Sequence, residues 1–227
     1  MLKILAVSPH PDDVELGMGG SILKFTNVGH QVIIVDLSDG ESASQGDSET
    51  RKKESVKSSR ILGIEERITL DFPNNYLRNE IESREELTEI IRNIRPDILF
   101  APYWVDSDPD HIAVSKLCDS ARFLGKVAKT EIKGKPFYVN KIYYYSASRS
   151  KEHFGPSFII DINKEMGMKI EAIKAYLSQF GHSTENNQIF ELVSNNNRYW
   201  GSLIGTKFGE AFITREEIGL RDIEAIF

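Results

Sequence analysis

Short apolar runs alternate with longer amphipathic stretches from the first residues onward. Ile4-Leu5-Ala6-Val7, Val32-Ile33-Ile34-Val35 and Ile98-Leu99-Phe100-Ala101 contain no polar position, which is how strands covered on both faces read. The segments between them carry helix signals. The alternation is that of βαβ units. It predicts strands over Lys3 to Ser8, Gln31 to Leu37, Arg67 to Leu70 and Asp97 to Ala101, with helices over Asp12 to Val28, Glu49 to Leu62, Arg84 to Ile94 and Pro109 to Leu124. Gly63 sits where a left-handed C-cap ends the second helix, Ser83 with Glu86 reads as a capping box opening the third, and Pro109 suits the first position of the fourth. Beyond residue 130 the pattern is less regular. It suggests strands at Lys141 to Ser146, Phe158 to Asp161 and Ala211 to Thr214, and helices over Lys164 to Phe180 and Gln188 to Ser202. The fold class expected is α/β, a Rossmann-like, mostly parallel sheet with helices on both faces. Right-handed crossovers in the usual 3-2-1-4 order place the first and fourth strands side by side, so a ligand crevice is expected outside their carboxyl ends.

Two polar clusters fall at that crevice. His10-Pro11-Asp12-Asp13-Val14-Glu15 follows the first strand, and Asp106-Ser107-Asp108-Pro109-Asp110-His111 follows the fourth. Histidines and carboxylates converging from separate loops suit a catalytic zinc, which takes three protein ligands and leaves a position for water. A nitrogen and oxygen ligand set also fits iron, cobalt or manganese. Adjacent carboxylates can divide the labour, one coordinating and its neighbour accepting a proton from water. Helix dipoles and N-capping also favour acidic residues here, but capping does not require a histidine at the end of each central strand.

These residues, with Gly17, Gly19, Gly20 and the later Pro109-Asp110-His111, resemble the PIG-L/LmbE type of zinc-dependent N-deacetylase. Arg51-Lys52, Tyr176-Leu177-Ser178-Gln179-Phe180 and Phe208-Gly209-Glu210-Ala211-Phe212 resemble its bacillithiol-pathway branch. The resemblance covers nearly the whole chain and implies one deacetylase domain over 1–227. It further implies that His10, Asp13 and His111 ligate zinc, that Asp12 is the general base and that Arg51 contacts substrate. The reaction implied removes an N-acetyl group from an N-acetylglucosamine conjugate such as N-acetylglucosaminyl malate. A nucleotide sugar is the alternative substrate, and a metal-binding protein with weak or no catalysis the alternative function.

One departure bears on catalysis. Members usually carry His-Pro-Asp-His before the fourth helix, the first histidine stabilising the oxyanion and protonating the leaving amine; here that position is Asp108. Loss of one oxyanion donor costs about 10²- to 10³-fold in rate. Asp108 could remain protonated in an apolar pocket and serve catalysis itself, Arg51, His153 or His182 could substitute, or the enzyme could be weak. Tyr103 and Trp104, leaving the fourth strand beside the second cluster, are candidates to line the pocket.

Composition narrows the partners. A net charge of −6 argues against general affinity for nucleic acid or anionic membranes, so a small-molecule partner is expected, which the resemblance implies to be an acetylated amino sugar. The single cysteine, Cys118, fits a reducing, cytoplasmic setting and a buried role. Gly-Met-Gly-Gly at 17–20 lacks the spacing of a dinucleotide or phosphate loop, so close packing is the expected reason for these glycines. The segment Ser38 to Ser48 could close over substrate. The opening apolar run is far shorter than the roughly 20 residues of a membrane span. A homo-oligomer is expected by analogy with related proteins.

Overall fold

The computed structural model describes residues 1–41, 47–147, 155–181 and 184–220. Among them, seven strands form one sheet in the order β3-β2-β1-β4-β5-β7-β6. The strands are β1 (Lys3–Ser8), β2 (Gln31–Asp36), β3 (Glu66–Thr69), β4 (Ile98–Pro102), β5 (Lys141–Tyr145), β6 (Phe158–Asp161) and β7 (Gly209–Ile213). The first five pair in parallel, and β7 runs antiparallel to both β5 and β6. The expected 3-2-1-4 order is present.

The helices are α1 (Asp13–Asn27), α2 (Ser48–Leu62), α3 (Ile81–Ile94), α4 (Pro109–Gly125), α5 (Met166–Lys174), α6 (Leu177–Phe180) and α7 (Thr184–Leu203). Alternate strand positions feed opposite faces of the sheet. Leu5, Val7, Ile33, Val35, Leu99 and Ala101 pack beneath α3 and α4 with buried Cys118. Ile4, Ala6, Val32, Ile34 and Phe100 pack with Val14, Met18 and Ile22 of α1. Among the described residues no helix is long and apolar enough to cross a membrane.

Three departures from expectation have a cause visible in the backbone. Helix α3 starts three residues early, at Ile81, because Ser83 Oγ accepts from the Glu80 backbone N–H at 3.1 Å; Ser83 closes a box with Glu80 rather than opening one with Glu86. The helix expected over Lys164 to Phe180 is divided, its chain leaving helical geometry around Tyr176 (φ −85°, ψ 64°). Helix α1 is broken at Met18 (φ −146°, ψ 20°). There the Glu210 carboxylate of β7 accepts from Gly20 N–H at 2.9 Å and Ser21 N–H at 2.6 Å, and Lys169 Nζ pairs with the same carboxylate at 2.6 Å. The second half of α1 thus receives an anionic cap from across the sheet.

The glycines answer to this packing. A Cβ at Gly17 would run into the Tyr145 ring, and one at Gly20 would meet three atoms of Ile162 at 2.8–2.9 Å. Gly20→Ala is expected to destabilise the fold by about 1–3 kcal/mol through overpacking, measured by denaturant unfolding; an unchanged midpoint would show that Ile162 moves away freely.

Candidate metal centre and active site

The two clusters meet because β1 and β4 are hydrogen-bonded neighbours, with Ala6 level with Phe100. β1 ends at Ser8 and the chain turns into α1 through His10; β4 ends at Pro102 and reaches α4 through an N-cap at Asp108. His10 and His111, 101 positions apart, have ring centroids 5.6 Å from each other.

Their common focus is one atom. Asp13 Oδ2 lies 3.1 Å from His10 Nδ1 and 3.3 Å from His111 Nε2. Among the described residues His10, Asp13 and His111 each offer a ligand atom within 4.8 Å of the others, so they could hold a metal ion. The remaining ring nitrogens face carboxylates: His10 Nε2 lies 3.1 Å from Asp110, and His111 Nδ1 3.0 Å from Asp106. Burial opposes charge on His10, but hydrogen bonds to Asp110 and Asp13 outweigh it and push its pKa up to about 10. Burial likewise opposes charge on His111, yet Asp13 and Asp106 raise it well above the ordinary imidazole value. Asp13 is held well below the usual carboxylate range, its desolvation overcome by the two histidines. The surroundings are therefore built to stabilise positive charge, and two imidazoles with one carboxylate fit the donor chemistry of a divalent ion.

Asp12 sits beside this group with a left-handed backbone (φ 118°, ψ −26°), a conformation that costs a non-glycine residue about 1–3 kcal/mol. Its carboxylate is 3.6 Å from Arg51 Nη1. The Arg51 guanidinium is buried, and its Nε and Nη1 donate no hydrogen bond within the protein. Room for it depends on Gly40 (φ 78°), where a Cβ would stand 3.0 Å from Nε. The cleft over these groups measures about 700 Å³ and is also lined by Asn74, Asn75, Asp106, Asp108, Asp110 and Gln179.

Behind the cleft lies a largely buried polar network. Arg67 forks onto Asp36 through Nε (2.6 Å) and Nη2 (2.8 Å) and reaches Glu15 through Nη1 at 2.6 Å. The same Glu15 oxygen accepts from Ser58 and Tyr176 hydroxyls, each at 2.8 Å. Burial opposes ionisation of Glu15, but Arg67 lowers its pKa; Asp36 is raised, since burial and the neighbouring Glu15 and Asp13 charges outweigh its share of the cation.

The structure thus brings His10, Asp12, Asp13, Arg51, Asp108 and His111 together. Tyr103 and Trp104, expected in the lining, are elsewhere. Tyr103 N–H donates to Tyr145 O at 2.8 Å, extending the strand, so its side chain joins Leu99 and Ala101 on the core face. Trp104 packs against Tyr103 and Tyr144, with Arg215 lying 4.1 Å over its ring. Asp108 is not in apolar surroundings either: its side chain is 44% exposed at the cleft, and Oδ1 accepts from Asp110 N–H at 2.8 Å as the cap of α4. His153, His182 and residues 42–46 of the Ser38 to Ser48 segment lie outside the described residues. Asn74, Asn75 and Gln179 were not singled out from sequence as cleft residues, because no spacing relates them to the histidines.

Comparison with known proteins shows the family. The model of the PIG-L family, described as GlcNAc-PI de-N-acetylase, matches residues 5–122, which include both clusters. The chain belongs to the PIG-L family. A conserved protein of Thermus thermophilus has a crystal structure that superposes with a TM-score of 0.91 at 36% identity, covering 98% of this chain and 99% of its own. The diacetylchitobiose deacetylase of Thermococcus kodakarensis is 28% identical over 245 residues, 99% of this chain and 84% of that protein. A probable N-acetyl-α-D-glucosaminyl L-malate deacetylase of Bacillus anthracis is 26% identical over 191 residues, 78% of this chain and 81% of that one.

Proposed function

We propose that this PIG-L family member is a zinc-dependent hydrolase that removes the N-acetyl group of an N-acetylglucosamine-type conjugate, giving acetate and a free amine. The observation that carries this reading is the convergence of His10 Nδ1 and His111 Nε2 on Asp13 Oδ2, beside the strained Asp12, in an open cleft. About 700 Å³ is within the range of small-molecule sites. The names of the Thermococcus and Bacillus relatives supply the substrate class.

His10, Asp13 and His111 would hold the ion, whose chemistry is to polarise an amide carbonyl and acidify water. Asp12 takes a proton from the attacking water as the new C–O bond forms. It returns that proton to nitrogen as the C–N bond breaks. Arg51, whose Nε and Nη1 make no hydrogen bond within the protein, stands beside Asp12 to orient a substrate oxygen, with Asn74, Asn75 and Gln179 lining the same cleft. Asp108 enters this reading as the cap of α4 and not as the acid.

The test is acetate release from diacetylchitobiose, N-acetylglucosaminyl malate and a UDP-N-acetylglucosamine control, with zinc-loaded and chelator-stripped protein. Removing the ion is expected to cost more than about 10² in rate, since it supplies several kcal/mol of transition-state stabilisation; zinc should restore it. Metal uptake without turnover on any of the three would defeat the enzymatic reading in favour of a binding protein. Turnover confined to the UDP sugar would replace the substrate class with nucleotide sugars.

A further inference from the structure

We propose that Asp106 and Asp110 are positioning residues that dictate, in opposite senses, which ring nitrogen each histidine presents to the ion. The inference rests on the metal reading above and extends it beyond the three ligands. A neutral imidazole carries one N–H, and the partner of that N–H decides which nitrogen keeps a free lone pair. For His10 the carboxylate partner is Asp110, 3.1 Å from Nε2, so Nδ1 is the nitrogen turned to Asp13 at 3.1 Å. For His111 the partner is Asp106, 3.0 Å from Nδ1, so Nε2 is turned to Asp13 at 3.3 Å. The site is therefore set for one Nδ1 and one Nε2 ligand.

Each positioning carboxylate is itself fixed. The second oxygen of Asp106 accepts from Asp108 N–H at 3.0 Å, and that of Asp110 from Leu77 N–H at 3.1 Å. Their side chains are only 5% and 3% exposed. Neither can swing aside without giving up a backbone bond in a buried place, which is unfavourable. The bracing is also crossed. Asp110 precedes His111 in the chain but serves His10, which arrives from β1, while its other oxygen holds the loop at Leu77. The first turn of α4, the end of β1 and the segment carrying Asn74 and Asn75 are thereby tied together around the ion position.

The test uses zinc-loaded wild type with Asp106→Ala and Asp110→Ala, each alongside its asparagine counterpart. Two readouts are independent of turnover: zinc affinity by competition with a chromophoric chelator, and long-range ¹H–¹⁵N correlations of the histidine rings. Wild type is expected to show one histidine bound through Nδ1 and one through Nε2. Each alanine variant should lose about 10- to 100-fold in zinc affinity, with partial recovery in asparagine, which keeps the acceptor but not the charge. If an alanine variant fails to fold, the asparagine variant decides, by a reproducible loss of affinity or none. Both histidines binding through the same nitrogen, or affinities within about twofold of wild type in every folded variant, would overturn the proposal. Absence of zinc binding by wild type would instead remove the metal reading and this inference with it.

Discussion

Asp12→Asn is expected to lower acetate release by about 10²- to 10⁴-fold, the usual contribution of a positioned general base, with zinc content unchanged. Asparagine has the same shape and tolerates the left-handed backbone at this position (φ 118°). It cannot hold the proton that hydrolysis must move from water to nitrogen. Because Asp12 is not among the three residues that converge as ligands, metal analysis and turnover should separate. The check is a single-turnover assay beside zinc quantification on the same preparation. A variant retaining more than a third of the wild-type rate would remove Asp12 from the chemistry, and one that lost zinc as well would place it in the metal site instead.

Arg67→Met is expected to produce the largest loss of stability. Arg67 is a buried cation shared by two carboxylates with no exposed side-chain surface, Glu15 and Asp36. Replacing it leaves two buried negative charges facing one another, and breaking such a pair from one side costs about 3–5 kcal/mol. For a chain of this size that is a fall in Tm of roughly 6–20 °C. The pH dependence follows from the carboxylates. In wild type the Glu15 pKa lies below its unfolded value, so its contribution is present above the ordinary carboxylate pKa and is lost as pH falls through the folded value. Without Arg67 burial prevails and the folded pKa rises. The deficit should then be larger at neutral pH and shrink as pH falls through the raised folded pKa toward the ordinary carboxylate value, where both carboxylates can be protonated. Chemical denaturation at pH 7 and pH 4 measures this; an equal deficit at both would show that lost packing, and not charge, dominates.

The same network is why Glu15 could not be read from its motif. In the chain it is one more acidic residue in a helical first turn, where the dipole favours carboxylates. Its partners Ser58, Arg67 and Tyr176 come from α2, β3 and the start of α6, and nothing in local spacing joins them. Asp106 and Asp110 were visible as carboxylates near a histidine, but that each serves a different ring depends on how α4 meets β1. Tyr103 shows the reverse error. Nearness in sequence to the second cluster suggested a cleft position, whereas one added strand bond to Tyr145 fixed the alternation and sent the ring into the core.

By itself, then, the chain determined the parallel part of the sheet, its 3-2-1-4 order and the meeting of His10, Asp12, Asp13 and His111. Unbroken apolar runs and right-handed crossovers leave few arrangements, and ligand motifs that follow strands travel with those strands. Only the tertiary structure decided which nitrogen of each histidine faces Asp13, that Arg51 Nε and Nη1 make no hydrogen bond within the protein, what breaks α1 and that Asp108 stands exposed at the cleft. Those features depend on contacts between atoms of residues brought together by the fold, and periodicity, which reports which face is buried, is silent about which atom meets which.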